Sequence, residues 1–124
     1  MKRILIGSTF PLSLIRRKVS ITPEPLTLLQ TIIASTDMIC SFWGHQNTLS
    51  AVNSLLGTDL TPLSERPSLL LNSDNMPILY GEIFNECWVV SPNYVSGFRP
   101  QIGVEVKKDE ITGWEILKIT WEEN

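Results

Sequence analysis

The only histidine of the chain, His45, follows Gly44 and precedes Gln46, Asn47 and Thr48. A histidine side chain has a pKa near neutrality and can give a proton to a leaving oxygen. Asn47 or Thr48 is a typical N-cap, and the first amides of a helix that begins there form a favourable site for a phosphate. Spacing alone nevertheless favours a plain interpretation, an ordinary cap beside a structural histidine, because anion sites at helix termini are common and mostly unused.

The elements on either side of this turn are read from the hydrophobic pattern. The run DMICSF over residues 37–42 is typical of a buried strand, and Gly44 permits a backbone conformation that is closed to other residues. Leu49, Val52 and Leu56 then recur at helical spacing, and Gly57 is a natural C-terminal stop. We therefore predict a strand, a turn that carries the histidine, and a helix that packs its apolar face inward.

The other predicted elements place this turn in a fold. We predict a helix over residues 21–35, with Thr22 as its N-cap and Pro23 in its first turn. The predicted strands are RILIG at 3–7, SLLL at 68–71, PILYGEIF at 77–84, CWVVS at 87–91, IGVEV at 102–106 and GWEILKITW at 113–121. This order predicts an α+β fold, with a mixed, mostly antiparallel sheet and two helices packed on it, in a single domain over residues 1–124.

Composition restricts the partners. A net charge of −3 and a pI near 5.1 argue against binding of long nucleic acid, which needs a broad basic surface, but not against a small phosphorylated ligand. No apolar run is long enough to span a membrane, and the first residues read as a strand rather than a signal peptide, so we expect neither a membrane partner nor export.

Cys40 and Cys87 have no metal-type spacing and are predicted to be reduced, in a cytoplasmic protein. No cofactor or metal is expected. The four tryptophans are predicted to be core residues, and Asp109 and Glu110 solvated turn residues.

The segment MICSFWGHQNTLSAVNSLLGTDL, residues 38–60, resembles the signature of the viral ring nucleases, small anti-CRISPR proteins that act against type III systems. That signature is a strand, a Gly-His-x-Ser/Thr-Thr turn and a helix that reads xxxNxLxGTxL. The matching residues are Gly44, His45, Thr48, Asn53, Leu55, Gly57 and Thr58, with Asn47 in the usual place of the serine. Ser8, Thr9 and Phe10 occupy the loop that follows the family's first strand, and Arg66 resembles the arginine that opens a later strand.

The resemblance implies a symmetric homodimer that binds cyclic tetra-adenylate across its interface, in the cytoplasm of the host cell, and cuts it without a metal. A ribose 2′-hydroxyl attacks its own phosphate, and His45 would protonate the leaving 5′-oxygen. The residues implied to bind the ligand are Ser8, Thr9, Gly44, Gln46, Asn47, Thr48 and Arg66.

One segment departs from the family. Phe84 falls where the family has an arginine that holds phosphate, and Glu86 or Cys87 falls near a glutamate that supports catalysis. Arg99, in a loop that replaces the family's next helix, could restore the missing charge. Two alternatives therefore stay open: a non-catalytic sponge for a related nucleotide, such as an ADP-ribose derivative or a cyclic dinucleotide, and a protein-interaction module in which the Gly-His turn is purely structural.

Overall fold

The computed structural model describes residues 2–41, 48–61, 69–99, 101 and 104–122. Within these residues, two short 3-10 turns, at Leu12–Leu14 and Lys108–Glu110, accompany two α-helices and eight strands. In chain order these are β1 (Arg3–Gly7), β2 (Val19–Pro23), α1 (Leu26–Ala34), β3 (Met38–Ser41), α2 (Leu49–Leu56), β4 (Leu70–Leu71), β5 (Pro77–Leu79), β6 (Glu82–Ile83), β7 (Glu86–Tyr94) and β8 (Ile111–Trp121).

The main sheet has five strands in the order β2-β8-β7-β1-β3. β1 lies between β3 and β7 and is parallel to both, whereas β8 is antiparallel to β7 and to β2. The strands β4, β5 and β6 form a separate antiparallel sheet. The predicted α+β class is confirmed, with the addition that the strands divide between two sheets.

The main sheet is covered on both faces, as the apolar run of β1 indicates for a strand buried on two sides. Ile4 and Ile6 face the two helices, in a cluster that also holds Trp88 of β7. Leu5 faces the opposite side, where Phe84 and other apolar residues pack beneath the small sheet. The molecule is therefore layered as helices, main sheet and small sheet.

The predicted start of the first helix is wrong. Residues 19–23 form β2, in which Thr22 pairs with Lys118 of β8, and α1 begins at Leu26 after Pro25 at the N-cap position. The physical reason lies in the two prolines, because Thr22 and Glu24 each precede one and a residue before proline is steered away from the helical region. The apolar face predicted for this helix does pack on the core through Leu29 and its neighbours.

Two predicted strands differ in the structure. The run 77–84 divides into β5 and β6, because Tyr80 and Gly81 both have positive φ, 52° and 77°, in a two-residue hairpin turn. Of the strand predicted at 102–106, the described residues 104–106 have no strand structure, although Val106 is buried. The Val104 amide donates a hydrogen bond to the Gln101 carbonyl at 3.1 Å, which is a turn contact rather than a strand pairing.

The two cysteines are free thiols, as predicted. Both Cys40 and Cys87 pair with Leu5 of β1, one from each side. They are thus two strand spacings apart, roughly 9–10 Å, which is beyond the reach of a disulfide. Burial raises the pKa of the Cys87 thiol, and the nearby Glu86 carboxylate raises it further.

None of the helices within the described ranges has the length and apolar character needed to cross a membrane.

Candidate functional site

The candidate site lies at the edge of the main sheet where the parallel strands β1 and β3 end. Ile6 pairs with Ser41, the last residue of β3, so Ser8 and Thr9 leave the sheet beside the point where β3 ends. Ser8 is half-buried and Thr9 is exposed. In open sheets with parallel strands, ligands bind in the crevice outside the carboxyl ends of the strands, which is where these two residues lie.

The third parallel strand fixes the position of Ser8 from the other side. Gly7 pairs with Val89 of β7, and the hydroxyl of Ser91 donates a hydrogen bond to the backbone carbonyl of Ser8 at 3.1 Å. The carbonyl is thereby occupied, while the Ser8 side chain and Thr9 remain at the surface of this edge.

The residues between β3 and α2 include most of the predicted ligand site. Gly44, His45, Gln46 and Asn47 fall within residues 42–47, which lie outside the described residues, as does Arg66. Of the predicted site residues, Ser8, Thr9 and Thr48 are described. The sheet brings Ser8 and Thr9 to the edge from which the chain leads into the Gly-His turn.

Thr48 occupies the N-cap position of α2 but does not cap the helix with its side chain. Its carbonyl accepts the first helical hydrogen bond, from the amide of Val52 at 3.0 Å. Its side chain is only 2% exposed, and the hydroxyl oxygen has no hydrogen-bond partner among the described residues. Buried hydroxyl groups are normally hydrogen-bonded, because leaving one without a partner costs about 1–3 kcal/mol. Since the Thr48 hydroxyl does not bond to the first amides of α2, helix capping does not account for a threonine at this position.

The part of the signature within α2 has a structural role. The Asn53 side-chain oxygen accepts hydrogen bonds from the Thr58 hydroxyl at 2.8 Å and from the Leu60 amide at 2.9 Å. Its amide group donates to the Leu60 carbonyl at 2.9 Å. Gly57 takes the left-handed conformation, with φ 68°, that ends the helix as predicted. The Asn-x-Leu-x-Gly-Thr pattern therefore folds the chain back after α2.

We expect Asn53→Ala to lower the free energy of unfolding by about 2–3 kcal/mol, because three hydrogen bonds are lost together. Asn53→Asp keeps the two accepted bonds and should lose less. Urea unfolding followed by circular dichroism measures both variants. An Asn53→Ala protein of unchanged stability would show that this network contributes little to the fold.

The three positions that the resemblance aligned with an arginine and a glutamate of the ring nucleases lie away from the candidate edge. Phe84 is fully buried in the cluster beneath the small sheet, and Cys87 is fully buried too. Glu86 begins β7, at the opposite edge of the main sheet, and forms an ion pair with Lys2 at 3.8 Å. None of these three side chains is thus placed to contact a ligand beside Ser8.

Arg99 follows β7, whose carboxyl end is at the same edge as Ser8, and its side chain is exposed. A turn precedes it, with the Phe98 amide bonded to the Val95 carbonyl at 3.1 Å and the rings of Phe98 and Tyr94 5.1 Å apart. The Arg99 guanidinium therefore places a positive charge in the loop that follows β7.

Sequence reasoning missed a cleft beside α2. Trp114, predicted to be a core residue, is half-buried and lines this cleft together with Lys108. The pattern of β8 places Trp114 on the helix side of the sheet, but nothing local in the sequence indicates that α2 leaves space beside it.

Comparison with known proteins gives a match in structure only. No protein-family model and no curated protein sequence matches the chain. Among solved structures, the chain is similar to B116 of Sulfolobus turreted icosahedral virus, with a TM-score of 0.54 and 16% sequence identity, over 97% of this chain and 99% of that one. The chain therefore shares its fold with a viral protein.

Proposed function

We propose that this chain is a viral counter-defence protein that binds a cyclic nucleotide second messenger, cyclic tetra-adenylate or a relative, and cleaves it slowly. The observation that carries the proposal is the parallel pairing of β1 with β3, which brings Ser8 and Thr9 to the edge from which the chain enters the segment of Gly44 and His45. The fold shared with a viral protein agrees with this assignment.

In the proposed reaction, the 2′-hydroxyl of one ribose attacks the adjacent phosphorus, and the bond from phosphorus to the 5′-oxygen breaks. The products are a cyclic 2′,3′-phosphate and a free 5′-hydroxyl. His45 gives its proton to the leaving oxygen, and the proton of the attacking hydroxyl passes to solvent. The step needs no metal.

The remaining predicted residues hold the phosphate. Asn47, Thr48 and the first amides of α2 form the cradle, since a helix N-terminus favours negative charge. Gly44 and Gln46 approach the ligand from the turn, and Arg66 contacts a phosphate or a base.

The proposed assembly is a two-fold homodimer with one ligand pocket across the axis. A chain of 124 residues is small for enclosing a ring of four nucleotides by itself, and an isologous pair is the commonest oligomer. Light scattering should give twice the chain mass with ligand bound. A monomer both with and without ligand would contradict this assembly.

One observation favours a second candidate, a sponge that sequesters a related nucleotide, an ADP-ribose derivative or a cyclic dinucleotide, without cutting it. Phe84, which replaces the family's arginine, is fully buried, and Glu86 lies at the opposite edge of the sheet. Loss of a cation that stabilises a transition state lowers the rate by orders of magnitude, whereas binding is better preserved.

A thermal-shift panel tests binding directly. The panel contains cyclic oligoadenylates, cyclic dinucleotides and ADP-ribose isomers, because a ligand that binds only the folded protein raises the melting temperature. A shift with a cyclic oligoadenylate supports the first candidate, and a shift with a cyclic dinucleotide or an ADP-ribose isomer supports the sponge. No shift with any of them rejects both and favours a protein-interaction module.

A further inference from the structure

The cleft beside α2 has the dimensions and lining of a small-molecule site. Its volume is about 420 Å³, within the range of about 300–1,000 Å³ that is usual for ligand pockets. One wall comes from α2 and the other from the first residues of β8 and the 3-10 turn before it. The lining residues are Ala51, Ser54, Leu55, Lys108, Ile111, Thr112, Gly113 and Trp114.

The cleft opens near the edge of the main sheet that carries Ser8. β8 runs antiparallel to β7, and its residues Gly113 and Trp114 pair with Asn93 and Pro92, near the carboxyl end of β7. β1 ends at that same edge, because it is parallel to β7. α2 also begins there, so the helix whose first turn would hold a phosphate forms one wall of the cleft.

The charge in the cleft has one sign. Lys108 is the one ionisable side chain among the described residues that line it. Asp109 and Glu110 follow directly in sequence but are not lining residues, and the Glu110 carboxylate accepts a hydrogen bond from the Lys107 amide at 2.9 Å. An anionic group in the cleft would therefore meet a cation without a competing lining carboxylate.

The walls combine an aromatic surface with hydroxyl groups. Trp114 is half-buried, and its ring packs against the helix-side core while still lining the cleft. Any of the nucleobases can stack on such a surface, because each has an aromatic face. Ser54 and Thr112 add hydroxyl oxygens, and the Thr112 hydroxyl already donates to the Asn93 carbonyl at 3.1 Å, so it is left as an acceptor for a base amino group.

We infer that this cleft binds one nucleoside monophosphate unit, with its base against Trp114 and its phosphate beside Lys108. The inference rests on the proposed function, since it assigns the cleft to one nucleotide of the ring whose scissile phosphate lies at the start of α2. The cleft is thereby assigned as the subsite that anchors the ring nucleotide beside α2.

Binding of four probes to wild type and three variants tests the assignment. The probes are cyclic tetra-adenylate, AMP, adenosine and ribose 5-phosphate, and the variants are Lys108→Ala, Trp114→Leu and Lys107→Ala. Lys107 is the matched control, because it is exposed and adjacent in sequence but does not line the cleft. Calorimetry measures the cyclic nucleotide, and NMR titration of the backbone amide signals of the cleft residues measures the three weaker probes in wild type and in every variant.

Lys108→Ala should weaken AMP and ribose 5-phosphate about tenfold at low salt and leave adenosine unchanged, since only the phosphate contact is lost. Trp114→Leu should weaken AMP and adenosine by about fivefold or more through the lost stacking, and leave ribose 5-phosphate unchanged. Lys107→Ala should match wild type with every probe. Lys108 is exposed, so its variant tests the proposal even where Trp114→Leu fails to fold.

The outcomes separate this inference from the proposed function. Cyclic tetra-adenylate that binds wild type and Lys108→Ala equally would overturn the cleft assignment and leave the function standing. AMP that binds wild type and is lost in Lys108→Ala, without any binding of the cyclic nucleotide, would support the cleft and reject cyclic tetra-adenylate as ligand. Absence of binding by all four probes would overturn both.

Discussion

His45→Ala is expected to lower the rate of cyclic tetra-adenylate cleavage by about a hundredfold or more, while binding is largely retained. General acid catalysis typically contributes 10²–10⁴-fold, and a phosphate cradle made mainly of backbone amides does not need the imidazole. Incubation with radiolabelled ligand, followed by chromatography of intact and cut material, measures the rate. Calorimetry measures the affinity of the same protein.

His45→Gln is the matched control, because glutamine keeps a hydrogen-bonding side chain but cannot act as an acid near neutral pH. Cleavage that requires the acid should be lost in both variants. A sponge instead returns the nucleotide intact from wild type and variant alike after denaturation, with weaker affinity in His45→Ala. If every protein ignores every nucleotide, the Gly-His turn is structural.

Phe84→Arg, which introduces the side chain that the resemblance to the ring nucleases implies at this position, is expected to unfold the protein rather than to raise its activity. Phe84 has no exposed surface and packs in the cluster between the main sheet and the small one. Removing a buried phenylalanine ring costs about 3–5 kcal/mol, and an unpaired buried charge costs several more. That sum approaches the whole free energy of unfolding of an ordinary domain, about 5–15 kcal/mol.

The adjacent residue provides the control. Ile83 is 45% exposed on the small sheet, so Ile83→Arg adds the same charge one position away and should leave the unfolding midpoint in urea nearly unchanged. A folded Phe84→Arg protein that cleaves cyclic tetra-adenylate faster than wild type would show that this side chain reaches the ligand. In that case the buried position would not describe the ligand-bound state.

The elements around the candidate edge were predictable because their signals are local. Apolar runs over 3–7 and 37–42 indicated β1 and β3, and the spacing of Leu49, Val52 and Leu56 indicated α2, which the structure has at Leu49–Leu56. The end of that helix at Gly57 followed from the residue type alone, since glycine takes the left-handed conformation without steric cost. The family signature likewise contains Asn53, whose contacts all lie within the next seven residues.

Errors arose where a segment's state depends on a distant partner. Residues 19–23 form a strand because they pair with β8, at the far end of the chain, and a helical pattern nearby concealed that pairing. Val104 and Val106 are strand-forming residue types, but the described residues 104–106 pair with no described strand, and the Val104 amide bonds to the Gln101 carbonyl in a turn. Strand formation requires a partner strand, and a local sequence pattern does not carry that information.

By itself, the sequence determined the α+β class, the core strands and the segment in which a histidine precedes a helix, because hydrophobic period, caps and glycine act over a few residues. Only the tertiary structure decided that Phe84 is a core residue rather than a ligand contact, that Glu86 lies at the opposite edge from Ser8, and that Trp114 and Lys108 share a cleft with α2. Each of these depends on strand order and layer packing, which join residues far apart in the chain. The physical cause is that burial and cavity shape are properties of packed elements, whereas the residue pattern specifies the elements one at a time.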